Sequence, residues 1–116
     1  MEKSLELAHE IAAAASNKKA HDIVIMKMIG LTMSTDYFVV CSANTTTQTR
    51  AIADEIEEKL SNKGISFQHK EGYREGEWIL MDYGDVVAHI FTRDAREYYA
   101  LESLWRDAEL TPYEDE

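Results

Sequence analysis

The stretch GEWILMDYGDVVAHIFTR, residues 76–93, decides the fold. Two runs rich in aliphatic and β-branched residues, from Trp78 to Met81 and from Val86 to Phe91, flank Tyr83-Gly84-Asp85, which has the turn chemistry of a β-hairpin. Alternation along the first run sends Trp78, Leu80 and Asp82 to one side of the sheet and Ile79, Met81 and Tyr83 to the other. The second trio suits a core. The first sets a tryptophan and a leucine beside a carboxylate, the composition of a protein-binding hot spot. A reading in which Trp78 simply packs beneath a helix is equally open. Glu71, just before a Gly72 turn, adds charge at the edge of the same region.

Working outward, DYFVVCSA (36–43) is apolar on both faces, as a central strand requires, and HDIVIMK (21–27) is a β-branched run suited to a neighbouring strand. Thr45 and Gln48 form a capping-box pair that opens a helix running to about Lys63, with Ala51, Ile52, Ile56 and Leu60 facing the core. Gly64 stands where a left-handed residue closes such a helix. The polar segment ISFQHKEG then begins a third strand at a sheet edge. At the N-terminus, Leu5, Ala8, Ile11, Ala12 and Ala15 recur at helical spacing between Lys3 and about Ser16. At the other end, DAREYYALESLWRDA places Tyr98, Leu101, Trp105 and Ala108 along one face of a last helix. Pro112 and the acidic tail Glu114, Asp115 and Glu116 are expected to end the fold. The order predicts an α/β (α+β) fold: a mixed five-stranded sheet with about three packing helices, in one domain spanning residues 1–116.

Hydrophobic residues make up 45% of the chain and charged residues 29%, the balance of a globular domain rather than a disordered one. No apolar run approaches the roughly 20 residues that span a bilayer, and acidic residues interrupt the N-terminus where a signal peptide would be apolar. Cys41, the single cysteine, lies in the apolar string YFVVC and reads as a buried free thiol in a reducing compartment, which points to the cytoplasm. The net charge of -10 repels nucleic-acid phosphates, so direct DNA binding is disfavoured and little direct RNA binding is expected. Such a surface attracts a basic protein, although it also serves solubility.

An enzymatic alternative rests on Asp82 and Asp85, which could hold a divalent metal as in nucleotidyltransferases. Two metal-binding carboxylates on a strand need alternate positions to leave the same face, and these two stand three apart across a turn. No glycine opens the helix after SANTTTQ to cradle a phosphate. His9, His21, His69 and His89 show no paired metal-ligand spacing and read as surface or packing residues. Apolar surroundings would keep Cys41 a thiol rather than a nucleophilic thiolate. No catalytic, cofactor-binding or metal-binding residue is therefore assigned.

The strings Asp36-Tyr37-Phe38-Val39-Val40, Gln48 with Ala51-Ile52-Ala53, Trp78 with Asp82-Tyr83-Gly84-Asp85-Val86-Val87, and His89-Ile90-Phe91 together resemble the ribosomal silencing factor, or Iojap-like, family. Arg96-Glu97-Tyr98-Tyr99, Leu101-Glu102 and Leu104-Trp105 extend the similarity over nearly the whole chain in the right order. The resemblance implies a nucleotidyltransferase-like topology without catalytic activity or cofactor. It also implies a partner, large-subunit ribosomal protein fourteen, whose occupation blocks joining of the small subunit and slows translation when nutrients are short. Trp78 and Asp82 match positions implicated in that contact, and strand phase and charge add Leu80 and Glu71. The chain departs from the family pattern at Thr47, where a basic residue is common, and at Ala43, often glycine, which leaves in doubt any role for the start of that helix. The exposed strand face is also suited to pairing with a second copy of the chain, a homodimer that would bury Trp78 and Leu80.

Overall fold

The computed structural model describes residues 2–114, in the order α1 (Lys3–Asn17), β1 (His21–Lys27), β2 (Tyr37–Ala43), α2 (Thr46–Ser61), β3 (His69–Glu71), β4 (Trp78–Asp82), β5 (Val86–Thr92), α3 (Arg93–Tyr99), α4 (Leu101–Leu104) and β6 (Glu109–Pro112). The two most apolar runs, β2 and β5, lie side by side in parallel, with Tyr37 opposite Val86 and Ala43 opposite Thr92. All other pairings are antiparallel, and the sheet order is β3-β4-β5-β2-β1-β6. The mixed sheet matches the expected class.

One face of the sheet carries α1 and α2. Ile23 and Ile25 of β1, Val39 and Cys41 of β2, Ile79 and Met81 of β4, and Ala88 and Ile90 of β5 meet Ala8, Ile11, Ile52, Ile56 and Leu60 in the larger core. On the opposite face Met26, Val40 and Phe91 pack with Ala95, Leu101 and Ala108 from the α3–α4 region. Both predicted N-terminal and central helices form for the reasons read from sequence. The Thr45 hydroxyl accepts from the Gln48 amide at 3.1 Å, while Gln48 returns its side-chain oxygen to the Asn44 amide rather than to Thr45 itself. Gly64 adopts φ 79, and the Gly64 and Ile65 amides close the α2 end onto the carbonyls of Ser61 and Leu60. Ala51, expected on the core face, is only half buried.

Three expectations are corrected. First, the sheet has six strands rather than five: residues 109–112, expected beyond the fold, add β6 to the free edge of β1, with Val24 opposite Pro112. An edge strand tolerates proline because one side of its ladder needs no donor. Asp115 and Glu116, at the end of the acidic tail, lie outside the described residues. Second, the final helix is broken. Ala100 takes φ 48 and ψ 51, a left-handed conformation that ends α3 and starts α4, so Tyr98 stands 81% exposed instead of facing the sheet with Leu101 and Ala108. Third, only His69–Glu71 of the polar ISFQHKEG segment pairs as a strand, at the predicted edge.

Burial pushes the Cys41 thiol up to about 12, although the Arg96 charge acts weakly in the opposite direction. Native protein treated with iodoacetamide at neutral pH is therefore expected to leave Cys41 unmodified, and denatured protein to react as an ordinary cysteine. Equal rates in the two states would contradict this burial. Replacing Thr45 by alanine removes the α2 cap and is expected to lower stability by about 1 kcal/mol in urea unfolding.

Candidate functional site

The antiparallel register sets Glu71 opposite Leu80 and His69 opposite Asp82. Directly opposed residues project to the same face, so Trp78, Leu80, Asp82 and Glu71 are brought together on one surface formed by β3 and β4. Their neighbours Ile79 and Met81 point the other way into the core, as the alternation predicted. Trp78, Leu80 and Asp82 are half exposed and Glu71 is exposed. The helix on this side, α3, packs on β5 and β2 and meets Trp78 through Tyr99. Trp78 is thus partly packed and partly exposed. It stacks on Phe91, with ring centroids 5.0 Å apart and planes inclined by 29°, and meets Tyr99 at 4.6 Å, while part of the indole stays open to solvent.

Glu71 is not a free charge, since its carboxylate contacts His69 Nε2 on the same edge strand. Asp82 also has a local duty. Its Oδ1 accepts from the Gly84 amide at 2.7 Å, fixing the hairpin turn in which Gly84 has φ 91. Asp85 serves through its main chain: its carbonyl accepts from Thr35 Oγ1 at 2.7 Å and from the Asp36 amide at 2.8 Å. The residue itself lines a cleft with Lys3, Ser4, Glu6 and Leu7 of α1. The turn therefore sends Asp82 and Asp85 to different sides and does not assemble the carboxylate pair of the enzymatic alternative. Among the described residues no three His, Cys, Asp or Glu side chains are grouped to hold a metal ion.

Sequence reasoning missed His89 as part of this surface. It lies opposite Leu80 on one side and Val40 on the other, and the residue is only 4% exposed. Phe38 meets it edge-on at 4.4 Å. Trp78 Nε1 donates to His89 Nδ1 at 3.1 Å. An indole nitrogen can only donate, so Nδ1 is unprotonated and the ring proton sits on Nε2, a buried atom with no partner among the described residues. Leaving such a donor unpaired costs about 1–3 kcal/mol. Burial pushes the His89 pKa down to about 4, so the neutral ring persists through the physiological range. The alternate spacing of His89 and Phe91 is the signal available in sequence, since it puts both on one face of a strand; their closeness to Trp78 comes from the β4–β5 register.

The family described as ribosomal silencing factor during starvation matches residues 1–116. The chain belongs to the ribosomal silencing factor family. The ribosomal silencing factor RsfS of Bacillus subtilis (strain 168) is 46% identical over 99 residues, covering 85% of this chain and 84% of that protein. The chloroplastic protein Iojap of Arabidopsis thaliana is 33% identical, with 98% of this chain matching 48% of its length. Among solved structures, a Chromobacterium violaceum protein determined by X-ray crystallography aligns with a TM-score of 0.87 at 32% identity, covering 91% of this chain and 88% of that one. A Bacillus halodurans crystal structure aligns with a TM-score of 0.77 at 38% identity over 96% of both chains.

In this silencing-factor fold two arginines tie α3 to β1: Arg93 stands 4.0 Å from the Asp22 carboxylate, and Arg96 makes the closer bonds. Arg96 donates to Glu102 Oε2 at 2.6 Å, to the Asp22 carbonyl at 2.7 Å and to Ser42 Oγ at 3.3 Å, in a cleft of about 540 Å³. Those bonds engage the guanidinium from both β1 and β2, so the cleft reads as a structural joint rather than a ligand site. No helix of the described residues is long and apolar enough to cross a membrane.

The depressed His89 pKa has a defined consequence for stability. The unfolded histidine binds its proton near 6.5 and the folded one near 4, so the stabilisation is complete above 6.5 and is lost as pH falls toward 4. The interval corresponds to roughly 3 kcal/mol at full burial. Urea unfolding at pH 7, 5.5 and 4.5 is expected to show this fall, and a His89→Phe variant to lose less over the same range. Parallel curves for the two proteins would remove His89 as the cause.

Proposed function

We propose that this chain silences translation by docking on the large ribosomal subunit through its ribosomal protein fourteen, and thereby blocks joining of the small subunit. One observation carries the reading: β3 and β4 gather Trp78, Leu80, Asp82 and Glu71 on a single, half-exposed face whose opposite side is sealed by the core. Trp78 and Leu80 supply the apolar centre, and Asp82 and Glu71 meet basic side chains at its margin. The net charge of -10 steers the chain toward a basic protein and away from the surrounding RNA phosphates. Action is by occupancy, without catalysis or cofactor, in the cytoplasm where subunits join. The name of the Bacillus subtilis relative, ribosomal silencing factor, supports the ribosome-silencing part of this reading.

Co-sedimentation with separated ribosomal subunits tests it. The natural sequence is expected to travel with large subunits only, and Trp78→Ala to lose about thirtyfold or more in affinity, the effect of a hot-spot side chain worth some 2 kcal/mol. Asp82→Asn keeps an oxygen for the Gly84 amide and removes the charge; Asp82→Lys adds like-charge repulsion as well. Affinity is expected to fall in the order natural, asparagine, lysine, and the gap between the first two to narrow with added salt. Equal binding to both subunits, or none to either, would exclude the docking reading.

A further inference from the structure

We propose that His89 is the positioning residue of the docking face: it accepts the indole hydrogen of Trp78 and so turns the only polar atom of that side chain inward, presetting Trp78 as an all-carbon anchor. This rests on the docking role assigned to Trp78 above and adds to it the residue that shapes the anchor.

The imidazole sits among groups that do not need it. Packed on the same face of the sheet are Val40, Phe91, Phe38 and Met26, side chains that ask for no hydrogen bond. A phenylalanine at position 89 would fit a site bordered by Phe38 and Phe91 and would carry no unpaired donor. The chain instead keeps a histidine whose Nε2–H is buried without a partner among the described residues, so packing alone does not account for it. What the imidazole supplies and a phenyl ring cannot is Nδ1, and Nδ1 receives Trp78 Nε1–H at 3.1 Å.

That bond matters because the other contacts on the Trp78 ring are aromatic packing, which has little directionality. Phe91 and Tyr99 contact its ring, and stacking contacts tolerate rotation and sliding of the indole. A directional bond at Nε1 selects one rotamer. It also satisfies the polar edge before any partner arrives, so docking strips water from carbon alone and fixes no further torsion. With His89 opposite Leu80 in the strand register and bonded to Trp78, one buried ring neighbours both apolar residues of the proposed contact.

The test combines the free protein with a double-mutant cycle. In proton–nitrogen correlation spectra of the free protein, with Trp105→Phe used to assign the second of the two tryptophans, the Trp78 indole proton is expected to exchange slowly with water. His89→Phe should make that exchange fast. His89→Asn, which can place an oxygen near the position of Nδ1, should restore slow exchange at least in part. Affinity for purified large subunits should fall about tenfold in His89→Phe, and by less than about twofold when the same change is made in a Trp78→Phe background, where no indole hydrogen needs an acceptor. If the natural protein binds and His89→Phe binds equally, or loses the same factor in both backgrounds, the positioning role is overturned while docking stands. If the natural protein binds no large subunits, the docking reading fails and takes this inference with it. Should His89→Phe not fold, fast indole exchange in a folded His89→Asn protein would overturn the proposal, and slow exchange would support it.

Discussion

The parallel pairing of β2 with β5 is the constraint on which the rest of the molecule depends. Parallel neighbours cannot be joined by a tight turn, because the chain must return to its starting end before pairing again. Here the return includes α2 and then β3 and β4, so the hairpin approaches β5 from its outer side and puts β4, not β5, next to the edge strand. Both central strands are buried on two faces, and each face therefore needs a cover. The helices α1 and α2 supply one that is complete. For the other face only the short α3–α4 region is available, and it lies over the centre. The β3–β4 corner is left incompletely roofed because of where the chain's helices fall in the order of strands. The candidate site is thus a product of topology before it is a product of particular side chains.

Side chains then decide what an unroofed corner can be used for. A wholly polar corner would be an ordinary solvated face, and a wholly apolar one an aggregation hazard at a sheet edge. Trp78 and Leu80 between Asp82 and Glu71 make it neither. The strand at the edge is three residues long and carries His69, Lys70 and Glu71, which discourages indiscriminate strand addition. Lys70 turns to the α2 side, where its ammonium pairs with Glu57 at 3.0 Å and lies over the Tyr73 ring at 4.7 Å. The exposed face consequently keeps its acidic character beside the apolar strip.

Much of this was legible in residues alone, and what was not has a physical reason. The β4 alternation, the Thr45 cap and the Gly64 terminus are local signals, and each appears where local rules place it; the polar edge strand lies at the expected edge but is shorter than its sequence suggested. Hidden features depended on contacts between distant segments. Ala100 has neither the freedom of glycine nor the restriction of proline, so helical spacing reads straight through it. The break is sustained by Arg96, which binds Glu102 beyond the break and β1–β2 across the sheet. β6 looked like a terminus because Pro112 normally ends regular structure, yet an outer strand can use a residue without an N–H. His89 offered only an ambiguous histidine until the register put it beside Trp78.

Scale links this arrangement to mechanism. The described chain exposes 6777 Å², and a standard protein–protein contact covers about 800 Å² per partner, roughly an eighth of that surface. A corner built on two strands and the end of one helix can present such an area, but not an extended groove. Affinity must then come from a few well-held groups rather than from breadth, because association costs translational, rotational and side-chain freedom that the interface has to offset. Anchors fixed in advance reduce that cost for a small domain. The bond from Trp78 to the buried Nδ1 of His89, and that from the Gly84 amide to the Asp82 carboxylate, would hold the proposed contact residues in place before a partner arrives. Under the proposed reading the chain acts by standing in the way, which asks for a rigid foothold rather than chemistry, and the incompletely covered corner beside β5 is the part of the fold that suits that role.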